Sequence, residues 1–231
     1  MSHHPFKTTF IDLSETNLWG KQLIGLRLRR ANLQNINLAS ADLTAADLSQ
    51  SNLKYANLIE VNLLRGNLSG ADLSSVDAIA ADMRGVDLIG ATLKDADLSD
   101  ASLQDVEAIG TDFQGANLEG ADLSGADLSG ANLQSSWLTS VNLQGANLKG
   151  ANLSHAILTD VNLQNADLRG TRFNHTVIIN ADFRGANLRG IIIESADLSN
   201  NWGISATMKQ EFTQQGAKFI GENLEAEMTI F

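Results

Sequence analysis

Residues 11–200 are 38 consecutive pentapeptides, with no insertion or deletion between them. The middle residue falls at Leu13, Leu18, Leu23 and so on to Leu198. It is Leu throughout except at Ala78, Met83, Ala108, Phe113, Phe173, Ile178, Phe183 and Ile193. Two residues earlier the position is Ala in 20 of the 38 units, and one residue earlier it is Asn or Asp in 28. The residue two after the middle one is often Gly. A period of five matches neither the 2.0 of a strand nor the 3.6 of a helix. In a helix the leucines would be spread around every face. Each pentapeptide is therefore expected to form one short side followed by a corner. Asn and Asp bond to their own nearby backbone and suit such a corner, and Gly gives it conformational freedom. The middle residue and the small residue two before it then point inward together.

Ala121-Asp122-Leu123-Ser124-Gly125 and Ala126-Asp127-Leu128-Ser129-Gly130 carry the pattern in full. It resembles the A(D/N)Lxx signature of the pentapeptide-repeat family, over about four-fifths of the chain. The resemblance implies an all-β fold, a right-handed quadrilateral parallel β-helix with four pentapeptides per coil. Residues 20 apart would stack, and 38 units would make a rod of about nine and a half coils, roughly 45 Å long at about 4.8 Å per coil. At Val76-Asp77-Ala78 and Val106-Glu107-Ala108 a central Leu shrinks to Ala while the small residue grows to Val. That exchange is expected of a packed interior that conserves volume.

A solenoid exposes its core at both ends and needs caps. Residues 1–10, with Phe6 and Phe10, are expected to cap the N-terminus, and 11–200 to form the β-helix. Lys21 and Leu26 stand where small residues are usual, so the first coil is expected to be irregular. Residues 201–231 are expected to form a C-terminal cap containing a short helix near 205–215. The run from Ser205 to Gln210 opens with capping residues, including a Thr207-x-x-Gln210 box, that would start that helix. Ile204, Met208 and Phe212 would share one face, and Gly216 would end it. Ala217-Lys218-Phe219 resembles a further fragment of the repeat, and the tail from Glu222 is expected to be less ordered.

Folding the repeat into four columns separates the outward residues. Face 1 contains Leu13 and Leu33, face 2 Leu18 and Leu38, face 3 Leu23 and Leu43, and face 4 Leu28 and Leu48. Face 2 carries seven acids, Glu60, Asp77, Asp97, Asp100, Glu119, Asp160 and Asp197, and no Lys or Arg. It also gathers Trp19, Ile59, Ile79, Trp137, Ile157, Val177 and Ile179 at outward positions. Trp137, Ile157 and Val177 replace Asn or Asp in three successive coils and should form one ladder. Clustered exposed apolar surface points to a partner, although stacking of like side chains between coils would also account for it. Face 4 carries a basic column, Lys149, Arg169 and Arg189, and a column of glycines.

Little in the chain points to catalysis. There is no Cys among the 231 residues, which excludes disulfides, thiolate nucleophiles and Cys-ligated metals. Fourteen of the 18 Asp lie at the corner position, where backbone geometry asks for them. His155 and His175 are 20 apart and should stack about 5 Å apart, but a structural metal site needs more ligands. No enzyme activity, cofactor or metal is expected. A net charge of −11 argues against nucleic-acid binding, and apolar runs no longer than four residues argue against a membrane span. Without a targeting segment the expected location is the cytoplasm. The leading reading is a non-enzymatic scaffold that presents face 2 to a protein partner of unknown identity. A homodimer through the C-terminal cap is a further expectation.

The family resemblance implies an alternative. Some pentapeptide-repeat proteins resemble duplex DNA in size and charge, and bind DNA gyrase or topoisomerase IV, giving quinolone resistance. This chain departs from them in being Leu-centred, in lacking inserted loops, and in interrupting its acidic face with Trp and Ile. Regular Leu-type repeats of this kind also hint at a cyanobacterial source.

Overall fold

The computed structural model describes residues 11–220. Those residues form a right-handed quadrilateral β-helix, and a short helix crosses its C-terminal end. The expected N-terminal cap at residues 1–10 and the tail from Glu222 lie outside the described residues.

The backbone repeats one device. In each of the 38 units the fifth residue has a left-handed φ, whether it is Gly or not. Gly fills this position in fifteen units, and residues such as Asn35, Tyr55 and His155 fill the others. The central residue opens a four-residue turn whose third member has the positive φ, the pattern of a type II turn. In the unit around Leu128, the Ala131 N–H closes that turn on the Leu128 carbonyl at 3.0 Å. The corner is thus formed by the two residues after the central one. The Asn or Asp before the central residue lies on the flat side, paired in parallel with the residue 20 further on, as Asp47 pairs with Asn67. Its carboxylate or amide oxygen reaches forward to accept from the first turn residue's N–H. Among the 28 Asn and Asp at this position, 27 do so; the exception is Asp197. The preference for Asn and Asp comes from this bond across the corner, and those residues do not occupy the corner themselves.

Coils are joined by three hydrogen bonds per unit running along the rod, one of them from the residue before the central one back to the coil below, as the Asp127 N–H donates to the Val106 carbonyl. The N–H groups of the central and fifth residues donate to the next coil, as Leu128 does to Asn147 and Gly130 to Lys149. The interior is a column of Leu closed by Ala, with Leu128, Leu148 and Ala126 fully buried. Both exchanged pairs are buried as well, Val76 with Ala78 and Val106 with Ala108. Phe113, also buried, belongs to the unit after Ala108. Polar residues at small inward positions satisfy themselves locally. The Thr111, Thr171 and Thr176 hydroxyls donate to carbonyls one coil below, those of Leu88, Leu148 and Leu153. The first coil is regular despite Lys21 and Leu26. Gln22 and Arg27 make the usual bridges, and Gly25 and Arg30 keep the left-handed turn. Lys21 is exposed there and Leu26 half-buried, so the unusual residues change what the inner position covers without altering the backbone.

At the other end, helix α1 spans Ala206–Gln214. Its N-cap is Ser205, the first of the expected capping residues, whose hydroxyl accepts from the Met208 N–H; the Thr207-x-x-Gln210 box does not start the helix. Ile204, Met208 and Phe212 turn toward the rod, and Phe212 is buried. Gly216 follows with φ +94°. Strand β4 (Lys218–Phe219) then pairs in parallel with strand β3 (Asp197–Ser199) and sets Phe219 opposite Leu198. The Ala217-Lys218-Phe219 fragment therefore resumes the ladder after the helix.

Candidate protein-partner surface

Face 2 departs from the rest of the rod in its last four coils. The units centred on Leu138, Leu158, Ile178 and Leu198 lack the turn-closing hydrogen bond found in every other unit. Strands β1 (Ile157–Thr159), β2 (Val177–Ile179) and β3 run through the first corner residue of three of these units, while the fifth residue keeps its left-handed φ. Trp137, Ile157 and Val177 have no side-chain oxygen to brace the corner, and two of them are β-branched and favour extension. Ile192, a lone apolar residue at the same position on face 1, keeps its turn closed. The opening thus begins with the run of three rather than with any single substitution, and it extends to the next unit, where Asp197 does not brace its turn. Asn201 bridges the opened corner at Ile178: its side-chain oxygen accepts from the Ala181 N–H at 2.8 Å and its amide donates to the Ile178 carbonyl at 3.1 Å.

The expected ladder is present. Trp137 pairs with Ile157, and Ile157 with Val177. Trp137 is 57 % exposed and Ile157 41 %, whereas Val177 and Ile179 are half-buried by their neighbours. Trp19, at 63 %, Ile59 and Ile79 occupy a different column near the other end, where Ile59 and Ile79 are half-buried. The seven residues therefore form two patches. Polar residues Asp97, Ser99, Asp100, Asn117 and Glu119 separate them on the same face. Exposed apolar residues also stand on other faces, among them Ile24, Tyr55, Ile89 and Ile109.

The charge around the ladder is uncompensated, because neutral groups are what bond to the face 2 acids. Ser40 donates to Glu60, Asn117 to Asp97 and Asn180 to Asp160. Three cations on faces 3 and 4 are instead tied to their own unit's carboxylate: Arg84 to Asp82, Arg169 to Asp167 and Arg184 to Asp182. The Arg184 guanidinium, aided by backbone and amide donors, lowers the Asp182 pKa to about 2. The Thr44 hydroxyl likewise holds Asp42 below the usual carboxylate range. These low values belong to turn bracing and ion pairing along the whole rod, so they single out no acid–base pair. His155 and His175 stack as expected, with ring centroids 5.0 Å apart and planes within 10°. Among the described residues no group of three or more His, Cys, Asp or Glu could hold a metal ion, and no helix is long and apolar enough to cross a membrane.

The opened corners and the Asn201 bridge have no signature in the repeat pattern, because each depends on what the neighbouring coil supplies. The half-burial of Ile59 and Ile79 has the same origin.

Comparison with known proteins agrees with this architecture. The family model described as pentapeptide repeats matches repeatedly, over residues 9–44, 27–63, 41–77, 67–105, 109–145, 136–174 and 162–200. A search of curated proteins gave no match. Among solved structures, HetL is a pentapeptide repeat protein involved in heterocyst differentiation regulation from the cyanobacterium Nostoc sp. strain PCC 7120. It is 31% identical, with a TM-score of 0.47, over 80% of this chain and 88% of that one. QnrB1, a plasmid-mediated fluoroquinolone resistance protein, is 19% identical with a TM-score of 0.45, over 89% of this chain and 97% of that one. Rfr23 from the cyanobacterium Cyanothece 51142 is 31% identical with a TM-score of 0.23, over 61% of this chain and 62% of that one. With the family model matched along nearly the whole repeat, the chain belongs to the pentapeptide-repeat family.

Proposed function

We propose that this rod is a non-enzymatic scaffold that presents face 2 to a protein partner. What supports the reading is the exposed Trp137–Ile157 ladder on a face with seven acids and no base. An indole and a branched aliphatic side chain held in water are costly unless something covers them, and aromatic anchors of this kind dominate binding energy at interfaces. The surrounding carboxylates favour a partner whose rim carries Lys or Arg and would speed its approach. The repeat holds each outward residue on a rigid ladder, so little ordering entropy is lost on docking. A cytoplasmic location is part of the same proposal.

The test is affinity capture from the native host with wild-type rod and with the variant Trp137→Asn, Ile157→Asn, Val177→Asn. A protein retained by the wild type and by a Lys149→Gln, Arg169→Gln control, but lost from the Asn variant, supports the reading. Equal capture by all three contradicts it. DNA gyrase binding is the alternative, and inhibition in a supercoiling assay that survives the triple Asn substitution would favour it.

A further inference from the structure

The end of the rod carries a second surface. Each face of the last coil presents upward N–H and C=O groups that a further coil would pair, and the C-terminal segment covers three of the four. On face 3 the Phe183 N–H donates to the Trp202 carbonyl. On face 1 the Ile193 N–H donates to the Gln215 side-chain oxygen at 3.1 Å. On face 2 the Lys218 and Ile220 N–H groups donate to the Ala196 and Leu198 carbonyls. On face 4, among the described residues, nothing accepts from the Leu188 or Gly190 N–H or donates to the Ala186 carbonyl. Ala186 is accordingly only half-buried, whereas Ala166 and Ala146 below it are fully buried. Above this edge lies a cavity of about 430 Å³, walled by Leu188, Met208, Glu211 and Phe212.

The rod's own pairing rule says what would fit. A side chain at the first turn position reaches up to the Asp 18 residues further on, one coil above. Lys54 meets Asp72 and Lys94 meets Asp112, each at 3.1 Å, and Gln104 and Gln164 meet Asp122 and Asp182 in the same way. Arg169 and Arg184 instead hold the Asp of their own unit. Arg189 has Asn187 there, so its own unit offers no carboxylate, and no described residue pairs with it from above.

We propose that this edge is a docking site for an extended peptide segment of a partner, with the sequence small–Asp–apolar, added as one more parallel rung. Its Asp N–H donates to the Ala186 carbonyl. Its backbone carbonyls accept from Leu188 and Gly190, and its Asp carboxylate receives Arg189. An unpaired ladder edge is a template for strand addition, main-chain bonds supply affinity, and the side-chain pairing sets sequence.

The probe is a fluorescein-labelled peptide Gly-Ala-Asp-Leu-Ser-Gly-Ala, followed by anisotropy on the full-length protein. Saturable binding is expected. It should weaken by at least about tenfold in three cases: when the peptide Asp amide is N-methylated, when that Asp becomes Lys, and when Arg189→Glu is made in the protein. The N-methyl arm leaves the protein untouched, and a thermal melt checks the fold of the Arg189→Glu variant. No saturation up to millimolar peptide overturns the proposal, as does binding indifferent to all three changes. Binding that emerges only after residues 221–231 are removed also overturns it, because the chain's own tail would then hold the edge.

Discussion

Glycine at the fifth position has two different causes in this rod, and Gly120→Ala compared with Gly130→Ala separates them. Both glycines have a left-handed φ, +70° and +66°. A methyl group on Gly130 would meet nothing within 4 Å, so the substitution adds only the backbone strain of Ala in that conformation, about 1–2 kcal/mol. On Gly120 the new Cβ would come 2.4 Å from an Asp100 carboxylate oxygen one coil below. That oxygen must retreat by about 1 Å to reach ordinary contact, which forces the Asp100 side chain off its rotamer at about 0.5–1.5 kcal/mol. Gly120→Ala should therefore cost about 2–3 kcal/mol, roughly 1 more than Gly130→Ala. Urea melts would read the difference. In an Asp100→Ser background the excess should vanish, because the shorter side chain leaves room. Equal costs at both sites, or an excess that survives Asp100→Ser, would refute the steric coupling. The same contact joins Asp95 to Gly115 and Asp105 to Gly125, which ties these choices together 20 residues apart.

Other expectations follow from the same geometry. Leu128→Ala should cost about 3–5 kcal/mol, because a fully buried site between stacked coils cannot collapse; a loss under about half a kcal/mol in urea would contradict its packing. Asp182 titrates lower in the fold, near 2, than in an unfolded chain, near 3.9. Its contribution is therefore complete above about pH 4 and lost as pH falls toward 2, so Asp182→Asn should flatten the acid limb of a stability–pH curve; an unchanged limb would show the pairing is not felt. Added zinc should raise the melting temperature no more in the wild type than in His155→Ala, since two stacked imidazoles make an incomplete site; a zinc-dependent gap would reveal further ligands. Deleting the chain from Ser205 onward uncovers Ile193 and Leu198, and light scattering should then show self-association; a monomer of unchanged stability would show that α1 is not a cap.

The period and the inward Leu and Ala columns were legible because each reports a local rule repeated 38 times. The stacking of His155 on His175, and of Trp137 on Ile157, followed from the 20-residue coil alone. What the pattern hid is of two kinds. Asn and Asp suit a corner either by occupying it or by bracing it from the side, and composition does not distinguish the two; Asp42 bonding to the Thr44 N–H does. Features that depend on the next coil were also hidden. Ser205 and Thr207 both precede plausible helix starts, and the docking of Ile204, Met208 and Phe212 on the last coil accompanies the cap at Ser205. Asn201 looks like another repeat residue until the opened corner at Ile178 shows what its amide is for.

The scaffold account rests on outward side chains being free of the work of folding, so that a partner can select them. The stability of the Trp137→Asn, Ile157→Asn, Val177→Asn variant tests that most directly. Asn at these positions restores the oxygen that accepts from the first turn residue, as it does at Asn117 for Glu119 one coil below. The corners at Leu138, Leu158 and Ile178 should close, and the melting temperature should stay the same or rise. A loss of several kcal/mol, on the scale of about 2–5 for a core deletion, would show that the ladder is internal packing and that face 2 is not held ready for a partner.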